Sequence, residues 1–450
     1  MAKRYLIETF GCQMNVHDSE RMAGLLEAAG YEPATGPSDA DVIVLNTCSV
    51  REKAEDKVFS RIGELRVDAA PGRSVPVVAV AGCLAQQDGA AIFRRARSVD
   101  VVVGTRAERL LPVLVDAAMR TGERQIDVNP YDDVSFPLGI ARRSDPVKAY
   151  VTIIEGCNDF CAFCVVPHTR GHERMRRKAE VLTEVEQAVA GGRTEVHLLG
   201  QIVNHYQAPD EPGCDFAGLL EALDAVPGIR RVRFSSPHPR HVTPRLIEAM
   251  RDLPHVCKHL HLPVQSGSTR ILAAMRRRHT REEFLDLVGR LRDRVPGIQL
   301  STDMIVGFPG ETDADFADTL SLVEEVGFHA MFSFKYSERP GTLAARRLAD
   351  DVPESQKAGR LAALQGRQQR IQAALHAAAI GSTVEVLVDS VSRRRGTELS
   401  GRTGGNTVVN FPGDASRLGS IEAVRIERAG PNSLWGRARS LTGGRAAPTL

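Results

Sequence analysis

Residues 149 to 164 read Ala-Tyr-Val-Thr-Ile-Ile-Glu-Gly-Cys-Asn-Asp-Phe-Cys-Ala-Phe-Cys, an apolar run followed by three cysteines with the spacing C-x3-C-x2-C. The apolar run predicts a β-strand, and the cysteines predict a loop at its end. Three thiolates on one loop can bind a soft metal ion or an iron–sulfur cluster. A structural zinc ion or an ordinary four-iron cluster takes four ligands, and the next cysteines, Cys214 and Cys257, lie far along the chain. We therefore expect a cluster with one iron open to a small ligand, with a zinc loop or unrelated buried thiols as the alternative.

The composition is that of an ordinary globular protein. A chain of 450 residues is long enough for about three domains. No apolar run is long enough to span a bilayer, and the first residues lack the apolar region of a signal peptide, so we expect a cytoplasmic protein. Because thiols stay reduced in that compartment, the eight cysteines favour metal binding or catalysis over disulfides. With a net charge of only +2, any nucleic-acid binding must depend on local basic patches.

Strands alternate with helices over residues 1–120, which predicts a parallel, doubly wound sheet. The predicted strands span residues 4–9, 42–46, 77–81 and 101–103. The predicted helices span residues 19–29, a segment ending at 64, and residues 106–119, with Asp18 as the N-cap of the first helix. Residues 121–144 are a predicted linker, because prolines and aspartates interrupt any regular period.

Each of the first three predicted strands is followed directly by a cysteine: Cys12, Cys48 and Cys83. The carboxyl ends of parallel strands share one edge of the sheet, where ligands bind. A single cysteine is more often a small core residue. Three of them at the same kind of position, beside Gly11 and Gly82, instead predict a second three-cysteine cluster with an open iron.

Residues 145–375 repeat the strand–helix unit about six times, which predicts an incomplete (β/α)6 barrel with its chemistry at the carboxyl ends of the strands. The predicted strands span residues 149–154, 195–199, 231–235, 259–262, 299–305 and 330–336, and the predicted helices span residues 181–190, 216–225, 243–251, 281–295 and 313–326. Polar side chains in or after these strands are expected to bind the ligand of the open iron, although each alone fits an ordinary cap or turn: Gln201, Asn204, Ser235, Gln265 and Asp303.

Two basic clusters, residues 170–178 and Arg276–Arg278, flank the predicted mouth of this barrel. Charge runs are usually solvated surface. Next to a predicted catalytic site they favour phosphate contacts, for which Arg170 and Arg174 are the candidates.

The last segment, residues 376–450, begins at the end of an alanine-rich helix predicted from Pro353 to Ala379. Five short predicted strands follow, which favours a small OB-like antiparallel β-barrel of the kind that binds oligonucleotides. They span residues 384–388, 398–400, 407–411, 421–426 and 434–438. From residue 381 onward ten arginines face six acidic residues, so the barrel is basic, and Arg402 is the candidate phosphate contact. The alternative is a solubilising accessory barrel.

Over essentially the full chain, three groups of motifs resemble the methylthiotransferases, a family of radical S-adenosylmethionine (SAM) enzymes. The first group is Gly11-Cys12-Gln13-Met14-Asn15, Asn46-Thr47-Cys48-Ser49-Val50-Arg51 and Ala81-Gly82-Cys83. The second runs from Glu155-Gly156-Cys157 to Val166-Pro167-His168-Thr169-Arg170-Gly171. The third is the C-terminal segment, which resembles a TRAM domain, a small RNA-binding barrel.

The resemblance implies two [4Fe-4S] clusters and SAM as cofactors. One cluster would reduce SAM to a 5′-deoxyadenosyl radical and would be bound by Cys157, Cys161 and Cys164. An auxiliary cluster would hold a sulfur that a second SAM methylates, and would be bound by Cys12, Cys48 and Cys83. The polar side chains at the barrel mouth become candidate SAM contacts, with Phe163 against the adenine. The hard step, replacing an aromatic C–H, then belongs to the cofactors.

Within the family, Leu262–Ser268 and Phe334–Thr342 resemble the branch that acts on C2 of N6-isopentenyladenosine next to the anticodon of tRNA. Ile202 and His205 depart from that branch, where Asn and Ser are usual. The expected partners are a tRNA anticodon stem-loop and an electron donor such as flavodoxin or ferredoxin, with no membrane and a monomeric protein. The alternatives are a family member that modifies threonylcarbamoyladenosine tRNA or a ribosomal protein, and a non-catalytic zinc-containing RNA-binding protein.

Overall fold

A six-stranded parallel sheet forms the N-terminal domain of the computed structural model, which describes residues 2–49, 52–65, 75–129, 141–392 and 396–438. In the sheet order β2-β1-β3-β4-β5-β6, its strands are β1 (Arg4–Phe10), β2 (Glu32–Pro33), β3 (Val42–Thr47), β4 (Val77–Gly82), β5 (Val101–Val103) and β6 (Gln125–Asp127). Its helices are α1 (Gln13–Ala28), α2 (Glu52–Leu65), α3 (Cys83–Asp88), α4 (Ala91–Arg95) and α5 (Leu111–Thr121). Strand β3 is buried along its whole length because apolar clusters lie on both faces of the sheet.

The first helix begins earlier than the sequence predicts. Helix α1 starts at Gln13 with Cys12 as its N-cap, so Asp18, the expected cap, lies within the helix and is fully buried. The apolar pattern hides this start because Asn15 and His17 are polar but buried. His17 Nδ1, for example, lies 2.8 Å from Thr152 Oγ1 in the central domain.

Part of the predicted linker, residues 121–144, belongs to the N-terminal domain. Residues 125–127 form β6, which pairs with β5 in parallel. A three-residue strand with one apolar residue, Ile126, is too short to show a period. Residues 130–140 of the linker lie outside the described residues.

Six parallel strands confirm the predicted partial barrel of the central domain. They form two sheets, β7-β10-β11 and β12-β13-β14, while β8 and β9 pair separately and antiparallel. The strands are β7 (Lys148–Thr152), β8 (Ile154–Glu155), β9 (Arg174–Met175), β10 (Glu195–Leu199), β11 (Arg231–Phe234), β12 (His259–His261), β13 (Gln299–Val306) and β14 (Ala330–Lys335). The isolated pairing of Val232 with Val256 links β11 to the segment that leads into β12.

Helices cover the outside of this barrel and bury one large apolar core against it. They are α6 (Val166–Thr169), α7 (Lys178–Ala190), α8 (Phe216–Asp224), α9 (Pro244–Asp252), α10 (Thr269–Ala274), α11 (Arg281–Arg294), α12 (Asp313–Val326), α13 (Leu343–Arg347) and α14 (Glu354–Ala378). The sequence Thr280-Arg281-Glu282-Glu283 predicts a capping box, and a capping box of Thr280 with Glu283 does begin α11. Among the described residues, no helix is long and apolar enough to cross a membrane.

The C-terminal domain is a closed five-stranded barrel of order β15-β16-β17-β19-β18, which confirms the predicted architecture. Its strands are β15 (Thr383–Val391), β16 (Glu398–Thr403), β17 (Val408–Pro412), β18 (Ile421–Ala429) and β19 (Leu434–Ala438). All pairs are antiparallel except β17 with β19.

The C-terminal barrel packs against the amino ends of the central strands. Arg231, the first residue of β11, donates from Nη1 to the Arg402 carbonyl over 2.5 Å. Arg233 Nη2 donates to the Thr403 carbonyl over 2.6 Å, and Lys148 Nζ lies 2.6 Å from Asp389 Oδ2. The C-terminal barrel and the carboxyl ends of the strands are therefore at opposite ends of the central domain.

Candidate active site

The loop cysteines lie just beyond β8, at the carboxyl end of the central barrel. Gly156 shapes the entry to this loop: its φ is +78°, and a Cβ there would lie 2.2 Å from the His172 carbonyl oxygen. The Cys164 amide donates to the Cys161 carbonyl over 3.0 Å, which closes a tight turn. Only glycine fits the entry, so the spacing of these thiols depends on it.

Arg277 supports the loop from behind. Its Nη1 lies 3.6 Å from Cys161 Sγ, and its Nη2 donates to the Pro263 carbonyl over 2.7 Å. The sequence predicts that Arg277 belongs to a basic cluster that contacts phosphate, but its side chain is buried. Because a guanidinium near a thiolate stabilises negative charge, it belongs to the surroundings of the candidate cluster.

Burial raises the pKa of the Cys157 thiol to about 11 and that of the Cys164 thiol to about 12, with Cys161 nearby contributing to both. These thiols are therefore neutral near pH 7 without a metal. Because metal ligation requires thiolates, iron binding at this loop would release protons.

The N-terminal cysteines follow β1, β3 and β4, three adjacent strands of the sheet, which agrees with the predicted convergence. Two buried asparagines join β3 to the start of α1, since Asn46 Nδ2 donates to the Asn15 carbonyl over 2.8 Å. Gly82 has a φ of +86°, and a Cβ there would lie 2.3 Å from Asn46 Oδ1. The backbone turn that places Cys83 therefore requires glycine.

The electrostatics of this triad differ from those of the loop. A hydrogen bond with Cys48, against the effect of burial and together with the charge of Arg170, lowers the pKa of Cys12 to about 6. Burial raises the pKa of Cys83, which is opposed by Arg170.

Both triads fit iron–sulfur clusters by their chemistry. Each brings thiols, the usual cluster ligands, within range of one another's charge. In the part of the chain that the structure describes, no group of three or more His, Cys, Asp or Glu is arranged to hold a metal ion. In a cluster each thiolate binds a different iron, so cluster ligands need not converge on one point as the ligands of a single ion do.

The predicted SAM contacts lie in or just beyond strands β10 to β13, around the carboxyl end of the barrel. Gln201 is notable because its Oε1 is buried without a hydrogen-bond partner among the described residues, while its Nε2 lies 3.6 Å from Met14 Sδ. Gln265 pairs with β13, since its amide donates to the Asp303 carbonyl over 3.0 Å. Ser235 directly follows β11. Their contact with SAM stays a prediction.

Two other predicted contacts already have partners. The Asn204 side chain bonds both the carbonyl and the amide of His238, at 3.0 Å and 2.8 Å, so it fixes the loop after β11. Phe163 is partly buried against an apolar cluster that includes Met275 and Phe308. These contacts explain the local order without a ligand.

One side of the barrel interior combines polar and apolar groups. Asp303 Oδ2 lies 3.4 Å from His261 Nε2, and the ring of Phe332 lies 5.8 Å from the His261 ring. Phe332 pairs with Asp303 in register and is 54% exposed, although it is aromatic. The sequence pattern does not show that Phe332 is exposed, because it does not reveal that β14 is an edge strand of its sheet.

The three predicted RNA contacts are placed differently from one another. Arg170 is buried and paired with Asp18 Oδ2 at 2.5 Å, so it does not face solvent as the predicted phosphate contact would. Arg174 is paired with Glu155 at 3.1 Å and is partly exposed. Arg402 donates to the Asn406 carbonyl over 3.1 Å and is partly exposed. The basic run in the sequence does not show that Arg170 is buried, because Asp18, its acidic partner, lies in the N-terminal domain.

Comparisons with known proteins agree with this architecture. Residues 4–104 match the Uncharacterized protein family UPF0004, residues 151–323 match the Radical SAM superfamily, and residues 378–438 match the TRAM domain. The fold and these matches thus define a radical SAM enzyme with a C-terminal TRAM barrel.

The particular family follows from full-length relatives. The chain is 48% identical to the tRNA-2-methylthio-N(6)-dimethylallyladenosine synthase of Thiobacillus denitrificans, over 98% of this chain and 99% of that one. It is 46% identical to the synthase of the same name from Geobacter metallireducens, over 96% and 98%. The chain belongs to this family of tRNA methylthiotransferases, which confirms the predicted tRNA branch and the predicted class of enzyme.

Among solved structures, the chain is similar to the radical SAM methyltransferase TsrM from Kitasatospora setae, which was solved with cobalamin and a [4Fe-4S] cluster bound. The TM-score is 0.57 over 77% of each chain, at 14% sequence identity. That likeness shows a shared fold.

Proposed function

We propose that this chain transfers a methylthio group to C2 of N6-isopentenyladenosine next to the anticodon of tRNA, giving 2-methylthio-N6-isopentenyladenosine. When bound, a [4Fe-4S] cluster on the loop triad would supply reductive cleavage of SAM to a 5′-deoxyadenosyl radical, and a second on the N-terminal triad would hold the sulfur that a second SAM methylates. The observation that carries the proposal is the pair of thiol triads, held on two domains that share a buried interface.

The loop residues hold the first cofactor site. Cys157, Cys161 and Cys164 are the ligands, and Arg277 donates toward the sulfur of Cys161. Gln201, with its unpartnered buried oxygen, is available to a polar group of SAM.

The barrel interior fits the substrate base. The exposed ring of Phe332 offers an apolar surface for the five-carbon alkenyl group, and the neighbouring pair of His261 and Asp303 offers hydrogen bonds to a purine. We expect a tRNA rather than a free nucleoside as the substrate. The C-terminal barrel lies at the opposite end of the central strands, and a single nucleoside is too small to contact both ends. The eight residues of β13 alone span about 26 Å at about 3.3 Å per residue.

An outer surface of the C-terminal barrel supports tRNA binding. Arg425 and Arg437 are exposed cross-strand neighbours on β18 and β19. Arg428 lies 3.9 Å over the ring of Trp435, which presents a flat cation beside the two charges. Such a surface suits phosphates and unpaired bases.

An electron donor such as flavodoxin or ferredoxin would reach the loop triad from outside. Phe160, between Cys157 and Cys161, is 44% exposed, so the loop lies near the protein surface. Because tRNA is the proposed substrate, we expect the protein to act in the cytoplasm, and we expect it to act as a monomer.

The test is mass spectrometry of tRNA nucleosides from a strain that lacks the gene, with and without complementation. We expect N6-isopentenyladenosine to accumulate in the deletion strain and its 2-methylthio derivative to return with the wild-type gene. A methylthio group missing instead from threonylcarbamoyladenosine or from a ribosomal protein would contradict the proposed substrate.

A further inference from the structure

The short segment of residues 169–172 contacts both cysteine triads. On one side, the Gly171 carbonyl accepts the Cys157 amide over 3.1 Å. On the other side, helix α6, which ends at Thr169 directly before Arg170, packs against α3, whose first residue is Cys83. We name residues 169–172 the connecting segment.

The N-terminal domain holds this segment at several points. Thr105 Oγ1 donates to the Thr169 carbonyl over 2.6 Å, and Arg106 Nη2 donates to the Arg170 carbonyl over 3.1 Å. Gly171 has a φ of +71°, and a Cβ there would lie 2.4 Å from Arg106 Nη2. The backbone of the connecting segment is therefore fixed against the N-terminal sheet.

The Arg170 guanidinium is fixed as well. It is 6% exposed, and its Nη2 lies 2.5 Å from Oδ2 of Asp18, which is fully buried on α1. Helix α1 starts at the N-cap Cys12, so Asp18 ties the arginine to the same helix that carries a cluster ligand. A buried cation next to sulfur ligands is costly unless it is paired and hydrogen-bonded, as this one is.

We propose that Arg170 is a positioning residue of the N-terminal triad, which places a positive charge beside Cys83 and Cys12. The proposal rests on the proposed function, in which this triad carries a cluster. Hydrogen bonds to sulfur ligands and local charge are among the properties that set the potential of an iron–sulfur cluster. Loss of this cation should therefore make the N-terminal cluster harder to reduce.

The test isolates the N-terminal cluster by replacing the loop cysteines, Cys157, Cys161 and Cys164, with Ala in the full chain. In this background, anaerobic reconstitution is followed by iron analysis, electron paramagnetic resonance of the reduced cluster and a redox titration. We expect Arg170→Gln to shift the midpoint potential to a more negative value and to change the spectrum. Arg170→Lys, which keeps the charge, should recover part of the potential shift.

A second variant separates cluster tuning from interface stability. Arg170→Gln alone leaves Asp18 as a buried unpaired charge, so we add Asp18→Asn to remove both charges. The double variant should regain thermal stability but keep only part of the potential shift, because loss of the Asp18 carboxylate offsets part of the lost positive charge. Arg245→Gln removes an exposed arginine paired with Asp215 and should change neither property.

With the loop cysteines intact, Arg170→Gln with Asp18→Asn should lower methylthio product by about tenfold or more, the range seen when a partner that orients a metal ligand is removed. Formation of 5′-deoxyadenosine without substrate should stay within about twofold, because the loop triad is unchanged. An unchanged potential and spectrum in both Arg170→Gln variants would overturn the proposal and leave Arg170 as a strut between domains. Failure of the proposed function would instead appear as absence of product from the wild-type protein.

Discussion

The two cysteine triads reach the same kind of site by different routes. Cys157, Cys161 and Cys164 come from a single loop, whose entry depends on Gly156. Cys12, Cys48 and Cys83 come from three adjacent strands and depend on the parallel sheet. The first triad is set by local geometry and the second by topology, so local changes should damage them unequally.

Removing each triad should remove about half of the iron, which is the largest change we expect in cofactor content. The triple Ala variants at Cys157, Cys161 and Cys164, or at Cys12, Cys48 and Cys83, each lose one set of ligands. Iron and acid-labile sulfide are measured after anaerobic reconstitution, with Cys214→Ala as the control thiol. Full iron in either triple variant would show that its triad binds no cluster.

Gly156→Ala should damage the loop triad alone. A Cβ would lie 2.2 Å from the His172 carbonyl, and the φ of +78° disfavours alanine. We expect iron to fall toward the value of the loop triple variant. Gly359→Ala is the matched control, since nothing lies within 4 Å of its Cβ position in α14. The control should be stabilised by about 0.5–1 kcal/mol; equal iron in both variants would contradict the role of Gly156.

The tRNA surface should respond to charge more gradually. We expect Arg425→Gln with Arg437→Gln to weaken tRNA binding and reduce the log–log salt slope by about one per lost charge. Arg402→Gln should change the slope less, because its side chain is 37% exposed beside Asp389, whereas that of Arg437 is 70% exposed even with Glu427 3.6 Å away. Filter binding over a range of salt concentrations measures the slopes. A larger effect from Arg402 would contradict this order and favour Arg402 as the main phosphate contact of the barrel.

Thiol reactivity in the metal-free protein should distinguish the two triads without any change in cofactor content. The pKa of Cys12 is lowered to about 6, whereas those of Cys157 and Cys164 are raised to about 11 and 12. Because the thiolate is the reactive form, iodoacetamide should label Cys12 first at pH 7. Its labelling rate should level off above about pH 7, while Cys157 and Cys164 become more reactive up to high pH. Peptide mass spectrometry over pH checks this order, and equal rates at pH 7 would contradict it.

Sequence alone predicted the features that repeat or cluster locally. The loop triad follows from its spacing, helix α12 from its period and the start of α11 from its capping box. The convergence of Cys12, Cys48 and Cys83 followed from strand alternation. These patterns work because each depends on short-range geometry or on one topological rule.

The features that escaped prediction depend on contacts between domains. Asp18 looks like a cap and Arg170 like a surface charge, yet they form a buried ion pair between two domains. The docking of the C-terminal barrel depends on Arg231 and Arg233 donating to backbone carbonyls, which no side-chain pattern reveals. Such pairings require three-dimensional coordinates.

The division of labour between the triads is tested most directly by product analysis of the two triple Ala variants. Chromatography would measure 5′-deoxyadenosine, S-adenosylhomocysteine and the modified nucleoside under strong reductant. The account predicts that the variant lacking Cys12, Cys48 and Cys83 still forms 5′-deoxyadenosine but no methylthio nucleoside and no methylated sulfur. The variant lacking Cys157, Cys161 and Cys164 should form no 5′-deoxyadenosine, yet still transfer a methyl group to acid-labile sulfur. Methylthio nucleoside from the first variant, or 5′-deoxyadenosine from the second, would contradict the account.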